Sequence, residues 1–213
     1  SAASDVYKRQ KQYGHHKAVD KVNLHIKKGA IYGFIGRNGA GKTTCLKMIS
    51  GLARPTAGEI EMFGCKGKEL ERIRSRVGCL IEAPGLYGNM NAYTNLKIKC
   101  ELFGIRKKGY IEDILETVGL EGVGKKKTKH FSLGMKQRLG IGLALVGEPD
   151  LLVLDEPING LDPQGIAEVR DTIQRLRDER NMTILISSHI LEELSKIATD
   201  YGIIHNGSLL QEL

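Results

Sequence analysis

Tryptophan is absent from the 213 residues, and aromatic side chains make up only 5% of them. The basic clusters, Lys8, Arg9 and Lys11 near the start, RKK at 106–108 and KKKTK at 125–129, therefore stand without interleaved aromatics. A groove for single-stranded nucleic acid combines the two, so the formal charge of +7 gives no reason to expect a nucleic-acid partner. Long apolar runs are missing as well. The longest, such as LLVL at 151–154, fall far short of the roughly 18 residues that span a bilayer. With no apolar leader pattern after the N-terminus, the expectation is a soluble, cytosolic chain. The four cysteines, Cys45, Cys65, Cys79 and Cys100, form no C-x-x-C pair, which excludes a written zinc site or redox motif and leaves free thiols in a reducing compartment.

What is present is alternation. Short β-type runs at 30–36, 59–64, 77–82, 150–156, 182–188 and 201–207 interleave with helical runs at 41–51, 91–104, 109–118, 132–146, 163–180 and 189–197. Strands with interposed helices predict an α/β fold around a largely parallel sheet. Between 84 and 147 three helical runs succeed one another without a strand, and this stretch reads as a helical subdomain inserted in the core. Residues 1–10 show no periodicity that continues into the rest of the chain and are set apart as a non-native or unrelated segment, leaving 11–213 as the folded domain. The final residues read as a hairpin that stops just after its second strand, so missing sequence at both ends is expected.

Chemistry concentrates at three places. G-x-x-x-x-G-K-T, formed by Gly36, Gly41, Lys42 and Thr43, lies between a strand and a helix. The glycines let successive backbone N–H groups face an anion, the helix adds its positive end, Lys42 neutralises outer phosphates and the Thr43 hydroxyl suits Mg²⁺. LLVLDEP ends a hydrophobic strand with two acids: Asp155 for the metal's hydration shell and Glu156 as general base toward water. His189 comes after a third apolar strand at its C-terminal end, the edge where open α/β sheets bind ligands, and is a candidate for the terminal phosphate. In FSLGMKQR, Ser132 is a natural helix N-cap and Gly134 allows close backbone approach to an anion.

Taken in order, these motifs resemble the nucleotide-binding subunit of ATP-binding cassette (ABC) transporters, over nearly the whole chain from about Lys11. The likeness comprises KQYGHHKAV, GRNGAGKTT as Walker A, FSLGMKQR as signature, LLVLDEP as Walker B, NGLDP as D-loop and His189 as switch histidine. It implies a P-loop NTPase fold with an antiparallel β part and a helical subdomain. It also implies ATP and Mg²⁺ as cofactors, with Tyr13 stacking on adenine and Val19, Arg37, Asn38, Gly39, Ala40 and Thr44 completing the cofactor set. In this family two cassettes, as homodimer or heterodimer, sandwich two ATP molecules. Ser132 and Gly134 would then serve the partner's nucleotide, with Asp162 at the interface. A separately encoded permease and a peripheral place on the cytoplasmic face of the membrane are implied.

Two positions depart from the common pattern. Glu82, in CLIEAPGLYG, stands where most cassettes carry glutamine, and resembles the subgroup that exports lantibiotics and bacitracin-like peptides in self-protection. An ionised glutamate only accepts hydrogen bonds, so Glu82 is expected to sense Mg²⁺ or its water and to link the site to the helical stretch. Ile158 replaces the usual threonine or serine after DEP, and should affect loop packing rather than chemistry. The leading function is ATP-driven export of a peptide antibiotic or drug. Export of a lipid or polysaccharide, and a non-transport ABC-type ATPase acting on DNA or ribosomes, are the alternatives.

Overall fold

The computed structural model describes residues 2–14 and 16–213, with residues 2–9 and 16 described by their backbone alone. Its centre is a six-stranded sheet. Strand β3 (Ile31–Ile35) lies between β9 (Asp200–His205) and β8 (Thr183–Ser188), and beyond β8 come β7 (Leu151–Asp155) and β6 (Val77–Leu80), all parallel. β10 (Ser208–Glu212) closes the edge antiparallel to β9. Every residue of β3, β7 and β8 is buried, as expected of parallel strands covered on both faces.

Period-two alternation divides these strands between two cores. Ile31, Ile35, Leu152 and Leu154 face the first, which is completed by helices α3 (Ala92–Leu102), α4 (Tyr110–Thr117), α5 (Leu133–Leu145) and α6 (Pro163–Arg180). Tyr32, Phe34, Leu151 and Val153 face the second, with Leu46, Met48 and Ile49 of α1 (Lys42–Ile49). The second core is roofed by a four-stranded antiparallel sheet of order β2-β1-β4-β5, comprising β1 (Ala2–Tyr13), β2 (His16–Lys27), β4 (Ala57–Met62) and β5 (Cys65–Lys66). The short helices α2 (Leu70–Ile73) and α7 (Leu191–Leu194) complete the order.

The expected α/β class, mostly parallel sheet and antiparallel part are all present. Between 84 and 147, α3, α4 and α5 succeed one another with only short 3-10 turns and one isolated bridge, Asn91 to Lys127, among the described residues. Helix boundaries reflect local chemistry. Asn91 Oδ1 accepts from Thr94 N at 2.8 Å to start α3, and Asp162 Oδ1 accepts from Gly165 N at 3.0 Å to start α6, which carries proline in its first turn.

Two differences stand out, and one expectation, the packing role of Ile158, holds. The backbone of the segment set apart as 1–10 runs, from Ala2, in β1 and pairs with both β2 and β4. The helix expected over 189–197 is a single turn, after which the chain goes on in turns, with Ile197 N and Ala198 N both donating to Leu194 O. Ile158 is 4% exposed and lies in the first core, a packing role.

Candidate nucleotide site

The parallel register brings the chemistry to one edge. Ile35 pairs with Ser188 and Asp155 with Ser187, so the ends of β3, β8 and β7 stand side by side. Gly36 leaves β3 so close to β9 that a Cβ would lie 2.6 Å from the Ile204 carbonyl oxygen. At Gly41, φ is +104° and a Cβ would lie 2.5 Å from the Ala18 carbonyl, so only glycine turns the loop into α1. No side chain caps α1, so the N–H groups of its first turn stay available to an anion. Arg37, Asn38 and Gly39 form the exposed tip, Thr43 and Thr44 are half-buried, and Ala40 turns into the core.

Lys42 is 5% exposed; its ammonium donates to Gly36 O at 2.6 Å and to Arg37 O at 3.2 Å, and lies 3.1 Å from Glu156 Oε1. That carboxylate oxygen is buried and has no hydrogen bond of good geometry, so the ion pair is its compensation. The other oxygen, Oε2, lies 2.8 Å from His189 Nδ1. Thr43 Oγ1 donates to Asp155 Oδ2 at 2.7 Å. Ser187, fully buried, donates through Oγ to Asp155 Oδ1 at 2.6 Å and accepts from Glu156 N at 3.0 Å. Glu156 adopts φ +49°, a left-handed conformation costly for a residue with a Cβ. The Ser187 bond holds it there.

Lys42, Thr43, Asp155, Glu156 and His189 are thus brought together at one edge, with Ser187 linking the two acids. Thr43 and Asp155 offer two oxygen ligands, and no cluster of three or more His, Cys, Asp or Glu able to hold a metal exists among the described residues. This donor set fits Mg²⁺, which is held by one or two protein oxygens while water and phosphate fill the rest.

Other expected residues lie elsewhere. Glu82 comes after β6 at φ +64°, 65% exposed at its side chain, and pairs with Lys47 Nζ at 2.5 Å rather than touching Thr43 or Asp155. The Glu82 hydrogen bond is the first cause holding the Lys47 ammonium above its usual pKa, and Tyr13 and Asp155 add to it, so all four share one neighbourhood. The Tyr13 ring is 53% exposed, with Lys11 Nζ 4.9 Å from its centroid. Val19 is a correction: its side chain is 0% exposed within the second core, under the phosphate loop, and offers a ligand no surface.

Ser132, Gly134 and Asp162 form a second group. Ser132 Oγ accepts from Met135 N at 3.2 Å as the cap of α5, and a Cβ on Gly134 would lie 3.4 Å from Gly165 Cα in the first turn of α6, which Asp162 caps. Among the described residues no hydrogen bond or ion pair joins this group to Lys42, Asp155 or Glu156. Sequence reasoning misses Ser187 and Lys47. The signal for Ser187 is a hydroxyl in a buried strand beside paired acids, and for Lys47 a cation one helical turn beyond Thr43.

The profile of the family described as ABC transporter matches residues 19–159. The bacitracin transport ATP-binding protein BcrA of Bacillus licheniformis is 53% identical over 204 residues, covering 95% of this chain and 67% of BcrA. The lantibiotic transport ATP-binding protein SrtF of Streptococcus pyogenes is 45% identical over 204 residues, covering 95% of this chain and 87% of SrtF. The chain therefore spans about two thirds of the length of BcrA. In fold it is similar to cbiO1 from Clostridium perfringens, part of the ABC transporter complex cbiONQ, with a TM-score of 0.88 and 24% identity over 99% of this chain and 88% of that one.

Proposed function

Since the chain belongs to the ABC transporter family, we propose that it is the ATP-hydrolysing subunit of an exporter of peptide antibiotics or related drugs, working as a pair of cassettes on a separately encoded permease. The observation that carries this is the set Lys42–Glu156–His189 and Thr43–Asp155–Ser187 at one sheet edge, beneath an uncapped helix N-terminus. The names of BcrA and SrtF support the peptide substrate.

In this reading the loop N–H groups and Lys42 hold and orient the phosphates, and catalysis is positioning plus charge stabilisation. Mg²⁺, when bound, neutralises charge on the terminal phosphates, and Thr43 and Asp155 are the residues that would hold it. Glu156 is the general base: its carboxylate receives a proton from water, and His189 holds the carboxylate in place through Nδ1. Ser132 and Gly134 serve the nucleotide of the second cassette, and Asp162 stands at that interface. Tyr13, open to solvent, is the stacking platform for the base. An apolar groove of about 390 Å³ lined by Leu80, Pro84, Tyr87, Leu102 and Phe103 supports contact with a membrane partner beside the Glu82 segment.

The test is ATP turnover and ATP-dependent dimerisation of the chain and of Glu156→Gln. Loss of turnover by about 100-fold or more with retained binding and a trapped dimer is expected. Undiminished turnover by Glu156→Gln would remove the assignment of the base.

A further inference from the structure

Three carboxylates lie along α1, Asp155 and Glu156 at its start and Glu82 beside its last turn, and each has a distinct partner. Asp155 is held by Thr43 and Ser187, and Glu156 by Lys42 and His189. Glu82 is held by Lys47, its only ion-pair partner among the described residues. Lys47 lies four residues beyond Thr43, on the same face of the helix that the phosphate loop feeds. Its backbone is pinned, because Lys47 O accepts from both Leu52 N at 2.8 Å and Ala53 N at 3.0 Å. Glu82 is set by its left-handed backbone at the end of β6, where the chain departs toward α3. The ammonium is thus presented from a rigid helix to a carboxylate on a strained turn.

Stability does not explain this pair. With side-chain exposures of 34% and 65%, it belongs to the exposed class that contributes about 0–1 kcal/mol. Electrostatics toward a polyanion does explain it. A free carboxylate swinging toward the phosphates of a nucleotide at Lys42 and Thr43 would repel them, and the field in such a cleft changes the local concentration of an anion by about tenfold or more.

We propose that Lys47 is a positioning residue for Glu82: its ammonium fixes the carboxylate against α1 and keeps its charge off the nucleotide phosphates. This rests on the reading of the site as one for MgATP. It makes Lys47 the feature that lets a glutamate occupy this position at the edge of a phosphate site. Because the effect runs through Glu82, replacing Lys47 should matter only while residue 82 is charged.

The experiment is a double-mutant cycle read by equilibrium binding of MgATP to the purified chain, with thermal melts confirming the fold of each form. Lys47→Met should weaken binding about tenfold with Glu82 present, and by no more than about twofold in the Glu82→Gln chain. Lys47→Arg should restore affinity to within about twofold, since it keeps a cation at the same place. Raising salt should shrink the coupling, because both groups are partly exposed. Equal losses in the two backgrounds would mean that Lys47 acts on the nucleotide directly and would overturn the proposal, as would no loss with Glu82 present. Failure of every well-folded form, wild type included, to bind MgATP would instead overturn the reading of the site itself, and the positioning role with it.

Discussion

Ser187→Ala deletes one oxygen that serves both acids. Its Oγ donates to Asp155 at 2.6 Å and accepts from the Glu156 N–H at 3.0 Å, at a position of 0% exposure. A hydrogen bond to a charged group contributes about 1.5–3 kcal/mol, and a buried donor left unsatisfied costs about 1–3 kcal/mol. The two losses share a neighbourhood and partly relax together, so about 3–4 kcal/mol is the expected destabilisation. For a domain of this length each kcal/mol lowers Tm by about 2–4 °C, giving a fall of roughly 6–16 °C. Turnover at saturating ATP should drop at least about tenfold, because Glu156 loses the bond that holds its left-handed conformation. The assay is urea unfolding at constant m-value beside steady-state ATPase kinetics. A destabilisation below about 1 kcal/mol, with turnover unchanged, would refute the view that this hydroxyl organises the acid pair.

Gly41→Ala should cost stability and nucleotide binding together, since an alanine at φ +104° meets the Ala18 carbonyl at 2.5 Å; strain of about 1–3 kcal/mol is expected, checked by chemical denaturation and ATP titration. Burial pushes the Cys45 thiol up to about 12 from 9.0, so it should resist thiol reagents at neutral pH while half-exposed Cys65 and Cys79 react first, as mass spectrometry of labelled peptides would show. The same shift has a pH consequence. The raised folded value favours the native state fully below the unfolded pKa of 9.0, and that advantage is lost as pH climbs from there toward about 12. Cys45→Ala should therefore flatten the alkaline arm of the stability profile measured by denaturant titration.

The core strands are legible in the sequence because parallel strands buried on both faces must read as apolar runs, and AIYGFIG, DLLVLDE and MTILISS do so. The phosphate loop is legible because its glycines answer to backbone geometry that no other residue meets. β2 is harder to see. Val22, Leu24 and Ile26 alternate as a half-buried strand should, but Val19 is out of phase with them, since the strand breaks register and Lys21 takes φ +53° between them. The same offset puts Val19 inside the core instead of beside a ligand. β1 carries KRQKQ, charged and polar without a visible period, and its pairing with β4 joins residues some fifty positions apart. The partner of Glu82 is invisible for a similar reason: Lys47 is 35 residues away, and only the packing of α1 against the end of β6 brings them together.

The contact between Gly134 and Gly165 bears on how such a chain can change over generations. A methyl group at 134 would lie 3.4 Å from Gly165 Cα, an ordinary contact distance. A side chain at 165 would crowd the Asp162 carboxylate at 2.7 Å. The two sites are therefore unequal: a methyl at 134 fits without disturbing its neighbours, whereas any side chain at 165 must displace the carboxylate that caps α6, so change at the start of α5 can come first and change at the start of α6 needs a second substitution beside it.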